Sequence, residues 1–115
     1  MKAQPVLWIA LAVAGFTARA VAQPTSDEAT RRDLVVQALR ASAQGNHPLA
    51  LDLAARAGRI RMTTALRMLL AQEHNALGHT LDAFDFAVRC VREAESDPAM
   101  ADRTRVLEGC NALVA

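Results

Sequence analysis

The chain repeats part of its own sequence, and this internal repeat is the feature that most limits its fold. Residues 45–57 align with residues 78–90 at a shift of 33 positions, with Gly, Ala, Asp, Ala and Arg recurring identically. Ala38 and Ala71 extend the match upstream. Each copy carries a glycine between two segments of helical periodicity. A period of this length is typical of helix–turn–helix units that bury their apolar faces by stacking against one another.

The residue pattern predicts five helices after position 22, because Ala, Leu, Arg, Gln and Glu dominate and no stretch alternates with period two. Thr25 and Glu28 have the spacing of a capping box, which indicates a helix start. Gly58 is predicted to end the second helix, and Thr63 or Thr64 to cap the third. The predicted helices run from about Thr25 to Gln44, from Pro48 to Gly58, from Thr63 to Gly78, from Thr80 to Ser96, and from about residue 98 to 113.

Residues 1–22 have the order of parts found in a secretory signal peptide. Lys2 supplies a positive charge, residues 6–16 are uncharged and mostly apolar, and a pattern of small residues ends at Ala22. The apolar stretch of about eleven residues is shorter than the roughly twenty that span a bilayer, so cleavage is favoured over an uncleaved anchor. The expected mature chain is residues 23–115, periplasmic or secreted, without stable membrane insertion.

Charge and composition argue against a nucleic-acid-binding function for the mature chain. Loss of Lys2 and Arg19 reduces the thirteen basic residues to eleven arginines, against twelve acidic residues, so the net charge becomes −1. Phe84 and Phe86 are the only Phe, Trp or Tyr residues that remain. Nucleic-acid-binding proteins usually have a basic face and aromatic side chains for stacking, so no nucleic-acid partner is expected.

The sequence lacks the patterns of a catalytic or cofactor-binding site, so neither enzyme activity nor a cofactor is expected. It has no nucleophile elbow and no glycine-rich phosphate loop. His74 and His79 lie on either side of a predicted helix end, and no third ligand stands at metal spacing, so no metal site is predicted. His47 and His79 are interpreted as turn residues, and His74 as a residue that packs between helices.

Four arginines surround the junction of the second and third predicted helices: Arg56, Arg59, Arg61 and Arg67. The favoured interpretation is that cations stabilise the carboxyl end of a helix. The alternative is a site for a carboxylate or phosphate, which the guanidinium group binds through two parallel hydrogen bonds.

With this repeat the chain resembles the tetratricopeptide repeat family, whose repeats of about 34 residues each form two antiparallel helices. The family has glycine at the turn and small residues where helix axes approach to about 8–10 Å. This sequence matches those positions with Gly45 and Gly78, with Ala38 and Ala71, with Ala50 and Ala83, and with Ala57 and Cys90. The resemblance covers roughly residues 31–98.

The resemblance implies an all-α fold, specifically a short α-solenoid of two repeats. The repeats are expected at about residues 31–64 and 64–97, followed by a C-terminal capping helix at about residues 98–113. They form one helical domain, residues 23–115, after the signal peptide.

The resemblance also implies a function, because the first helices of such repeats line a concave groove that binds other proteins. Carried over residue by residue, this groove comprises Arg32, Val35, Leu39, Ser42, Ala65, Met68, Gln72 and Asn75. The leading hypothesis is a non-catalytic module of the cell envelope or secreted space that binds a segment of a partner protein. The alternative is a structural component that self-associates through an exposed solenoid end.

Cys90 and Cys110 form a candidate disulfide if the chain is exported to an oxidising compartment. If the last helix begins at Pro98, the two residues are offset by about 9 Å along the helix axes, which is too far for a bridge. If Asp102 caps that helix instead, the offset falls to about two residues. The sequence leaves both arrangements open, and the alternative to a bridge is two buried small residues.

Overall fold

The computed structural model describes residues 23–115, with side chains from Ser26 onward, and this part of the chain is entirely helical and turn. The helices are α1 (Gln23–Ala43), α2 (His47–Ile60), α3 (Thr64–Ala76), α4 (Thr80–Ser96) and α5 (Arg103–Val114). The all-α class is therefore confirmed. The predicted signal peptide, residues 1–22, lies outside the described residues. No described helix is both long and apolar enough to cross a membrane.

The helices pack as two hairpins followed by a single helix. α1 packs against α2 and α3 against α4, while α5 lies against both α4 and α3. The turns that close the hairpins have the same backbone conformation, with φ of 78° at Gly45 and 79° at Gly78. After α1, the amide of Asn46 donates to the carbonyl of Ala41 at 2.8 Å. After α3, the amide of His79 donates to the carbonyl of His74 at the same distance. The positive φ explains why both turns contain glycine.

Small residues stand where the helices approach most closely, as the sequence predicts. Ala38, Ala50, Ala57, Ala71 and Cys90 are fully buried, and Ala83 is 3% exposed. Around them lie two apolar clusters. The first joins α1, α2 and α3 through Leu34, Leu53, Leu66, Leu69 and Leu70. The second joins α3, α4 and α5 through Met68, Cys90, Ala94, Val106 and Cys110.

The predicted start of α1 and end of α2 are wrong. α1 begins at Gln23, so Thr25 lies within the helix and Glu28 binds arginines instead of completing a capping box. α2 continues through Gly58 to Ile60. A Cβ atom on Gly58 would lie 2.6 Å from the terminal methyl of Met62. The absence of a side chain at Gly58 therefore gives Met62 room to pack, and it does not end the helix.

The start of α3 is confirmed, because the Thr63 hydroxyl accepts a hydrogen bond from the Leu66 amide at 3.2 Å. The last helix begins later than the predicted residue 98. Asp102 precedes α5 in a left-handed conformation, with φ of 59°, and its side chain makes no capping bond. Arg103 instead connects the start of α5 to α4 by donating to the carbonyl of Ala94 at 2.7 Å.

Because α5 begins after Asp102, the structure has the arrangement in which the two cysteines are nearly level along the helix axes. In the structure Cys90 and Cys110 are joined by a disulfide, with their Cα atoms 6.2 Å apart. Both residues are fully buried in the cluster between α3, α4 and α5. The bridge therefore links α5 covalently to the second hairpin.

Candidate functional site

A concave groove lies between α1, α3 and α5 and encloses a cavity of about 430 Å³. The cavity is lined by Arg31, Val35, Leu39, Thr63, Ala65, Leu66, Met68, Leu69, Gln72 and Arg105. The walls are largely aliphatic, while the polar groups come from Thr63, Gln72 and the two arginines. Ligand sites usually combine an apolar wall with a few placed polar groups in this way. The groove is therefore the candidate binding site.

Five of the eight predicted groove residues line this cavity: Val35, Leu39, Ala65, Met68 and Gln72. The other three do not. Arg32 points to solvent and pairs with Glu28 at 3.3 Å. Ser42 donates to the carboxylate of Glu73 at 2.7 Å. Asn75 is exposed outside the cavity. The one-turn spacing along α1 and α3 therefore places five of the eight predicted residues at the cavity and three outside it.

The sequence interpretation missed the contribution of α5 to the groove. Arg105 lines the cavity, and its guanidinium lies 3.6 Å from the carboxylate of Asp102. Further along α5, a Cβ atom on Gly109 would lie 2.6 Å from the Met68 sulfur and 3.5 Å from the Gln72 amide nitrogen. Gly109 thus lets α5 approach the groove side of α3 closely. The sequence predicts α5 only as a capping helix, but in the structure it also contributes Arg105 to the lining of the site.

Glu28 fixes one end of the groove. Its carboxylate accepts hydrogen bonds from Arg31 on α1 and from Arg61 in the α2–α3 connection, at distances from 2.6 to 3.3 Å. These bonds, first from Arg31 and then from Arg61, lower the pKa of Glu28 to about 2 from 4.5. The ionised carboxylate therefore holds Arg31 beside the cavity and connects α1 to the start of α3.

The lowered pKa makes the stability of the chain depend on pH in acid. Because the unfolded chain takes up this proton at higher pH than the folded chain, the stabilisation is complete above pH 4.5 and is lost as the pH falls toward 2. We expect Glu28→Gln to flatten the pH dependence of the denaturation midpoint within this window. Asp27→Asn, an exposed carboxylate on the same helix, is the control. Parallel curves for wild type and Glu28→Gln would contradict the assignment.

Three of the four arginines near the α2–α3 junction form ion pairs with carboxylates of the same chain. Arg56 lies 3.8 Å from Asp52, Arg61 binds Glu28, and Arg67 binds Glu93 at 2.9 Å. Arg59 lies in the last turn of α2, where a cation interacts favourably with the helix dipole. Three of the guanidinium groups therefore pair with three different carboxylates, which favours the structural interpretation.

A buried carboxylate, Glu73, was not anticipated from the sequence. It is 2% exposed and accepts hydrogen bonds from the Ser42 hydroxyl and from Nδ1 of His47, both at 2.7 Å. Ser42 lies in the last turn of α1, His47 begins α2 and Glu73 lies on α3, so this cluster joins the two hairpins. His47 is therefore more than a turn residue, because it helps to satisfy a buried charge.

His74 packs between helices, as predicted. Its ring stacks on Phe86 of α4, with ring centroids 5.5 Å apart and planes inclined by 13°. Burial lowers the pKa of His74, the nearby Asp82 carboxylate acts in the opposite direction, and His79 lowers it further. The side chain therefore favours the neutral imidazole.

Comparison of the chain with protein-family models, with curated proteins and with solved structures found no match.

Proposed function

We propose that the mature chain is a non-catalytic protein-binding module of the cell envelope or secreted space, built from two repeats like those of the tetratricopeptide family. The groove between α1, α3 and α5 holds a segment of a partner protein. The observation that carries this proposal is that five residues chosen from the repeat pattern line one aliphatic cavity.

The groove chemistry indicates the kind of segment that it binds. Leu39 is 51% exposed in the aliphatic wall of the groove. An apolar side chain that covers Leu39 would therefore bind favourably. The exposed amide of Gln72 can pair with a peptide group, as in other grooves that bind extended or helical segments. Arg105 is 61% exposed at the lip and favours an acidic residue there. The partner segment is therefore apolar with an acidic flank.

A displayed library of random peptides, panned against the mature domain, tests this proposal. We expect enrichment of apolar segments with an acidic residue. Leu39→Ala should weaken their binding about tenfold, because it removes apolar contact worth about 1–2 kcal/mol. Gln72→Ala should weaken it about two- to tenfold through a lost hydrogen bond.

Two matched controls distinguish groove binding from general surface binding. Asn75→Ala removes another exposed amide one turn along α3, and Val36→Ala trims an exposed aliphatic residue of α1; neither residue lines the cavity. Both variants should bind like the wild type. Equal losses in the controls and in the groove variants would contradict the assignment of the groove.

Self-association is the second candidate function, and exposed apolar side chains on α2 and α4 favour it. Leu81 is 85% exposed and Phe84 49% exposed on α4, and Leu49 is 45% exposed on α2. Exposed apolar side chains of this size are typical of surfaces that another protein covers. Solution mass decides between the candidates: a dimer that dissociates in Leu81→Gln favours self-association, and a monomer favours the peptide groove.

A further inference from the structure

The turn between α3 and α4 brings three metal-ligating side chains together. Nδ1 of His74 lies 3.0 Å from Nδ1 of His79. With an Asp82 oxygen, the three potential ligand atoms all lie within 4.8 Å of one another. The sequence interpretation placed the two histidines apart because they lie on either side of a helix end, and it did not consider Asp82 as a ligand.

The helix end itself is what brings the histidines together. Gly78 adopts a φ of 79°, and the backbone amide of His79 donates to the carbonyl of His74 at 2.8 Å. This bond closes a Schellman turn, in which the residue after the glycine folds back over the last turn of the helix. An apolar contact frequently accompanies that geometry. Here the same two positions carry imidazole rings, with centroids 5.2 Å apart.

The first hairpin provides an internal comparison, because it forms the same turn without histidine at the two equivalent positions. Ala41 and Asn46 occupy its equivalent positions, and Leu49 stands where the second hairpin has Asp82. Asn46 caps α2 by accepting a hydrogen bond from the Leu49 amide at 3.3 Å. His79 has nearly the same backbone angles but makes no capping bond to α4. The fold therefore does not require this cluster, and His79 replaces a side chain that caps the helix.

The distances suit a divalent transition-metal ion. Zinc binds imidazole nitrogen at about 2.0–2.1 Å, which places two ligands of a tetrahedral site about 3.3 Å apart. The 3.0 Å separation of the two nitrogens is close to this value. A hydrogen bond between the rings explains that separation but neither the adjacent carboxylate nor the missing helix cap. The ligand set of two nitrogens and one oxygen favours zinc and its neighbours over magnesium or calcium.

We propose that His74, His79 and Asp82 form a binding site for a divalent transition-metal ion such as Zn²⁺. Phe86 stacks against His74 and holds its ring in place. His79 and Asp82 are exposed, so water completes the coordination. The site lies at the end of the second hairpin, and none of its residues lines the groove, so the proposal is independent of the proposed binding function.

Calorimetric titration of the untagged, disulfide-bonded mature chain with zinc chloride tests the site. We expect saturable binding of one Zn²⁺ per chain at sub-millimolar concentration, with no comparable heat from magnesium chloride. His74→Ala and His79→Asn, which restore the residues of the first hairpin, should each weaken binding at least about tenfold. Asp82→Asn should also weaken it, whereas Asp85→Asn, one turn further along α4, should not.

His79→Asn also separates loss of the ligand from loss of the fold. Asparagine at this position can cap α4 as Asn46 caps α2, so the metal-free variant should melt at or above the wild-type temperature. Zinc should raise the melting temperature of the wild type and not of this variant. The absence of saturable zinc binding in the wild type would overturn the proposal, and so would equal affinity in wild type and His79→Asn.

Discussion

Reduction of the Cys90–Cys110 disulfide is expected to lower the free energy of unfolding by about 3 kcal/mol. The two residues are 20 positions apart, and a bridge over a loop of that length removes roughly this much conformational free energy from the unfolded chain. A chain of this size has a modest core, so the loss is a large part of its stability. Urea denaturation with and without a reductant measures the effect.

The same treatment should also affect the groove. α5 contributes Arg105 to the cavity, and the bridge is its covalent link to α4. Hydrogen exchange should therefore increase most in α5 upon reduction, and peptide affinity should fall with it. The Cys90→Ala/Cys110→Ala double variant is the control, because reductant should leave its denaturation curve unchanged. Two free thiols on the denatured, unreduced wild-type chain would contradict the bridge.

Positions whose role depends on local periodicity could be predicted from the sequence. The 33-residue shift aligns Gly45 with Gly78, and both residues adopt the positive φ that the turn requires. The small residues of the repeat are buried, because a helix contact with close axes accepts little more than a methyl group. Thr63 caps α3 because the hydroxyl and the free amide are only three residues apart.

The errors at the helix ends concern residues whose role is decided by the side chain that they contact. Gly58 looks like a helix end in the sequence, but the side chain that occupies the space beside it belongs to Met62 beyond the helix. Glu28 has the spacing of a capping box, yet it binds Arg61, 33 positions away. The residue type alone indicates neither contact. Propensity at a helix end therefore gave way to side-chain contacts at both places.

Part of the candidate site could be predicted because it also depends on local periodicity. Residues one turn apart on α1 and α3 share a face, which the helical period alone reveals. The contribution of α5 could not be read this way, because its start depends on the conformation of residues 97–102. Glu73 was also missed, since one acidic residue in a helix looks solvated until Ser42 and His47 fold against it. The repeat comparison did carry a signal for the histidine cluster, because His74 and His79 stand where the first hairpin has Ala41 and Asn46.

Substitution of Ala83 by leucine is expected to destabilise the protein by about 1–3 kcal/mol. Ala83 is 3% exposed in the first turns of α4, where this helix packs against α3. Leucine adds three carbon atoms at a contact without free space, so the two helices must separate or the side chain must adopt a strained rotamer. Alanine and leucine are both strong helix formers, so helix propensity contributes little to the effect.

The equivalent residue of the first hairpin provides a second measurement. Ala50 is fully buried against α1, so Ala50→Leu should cost a similar amount. Ala29→Leu, at an exposed position of α1, is the matched control and should leave the free energy of unfolding, measured in urea, within about 0.5 kcal/mol of wild type. If Ala83→Leu and Ala50→Leu were as stable as Ala29→Leu, the helices of each hairpin would not approach closely at these positions. The repeat interpretation, which requires small residues there, would then be wrong.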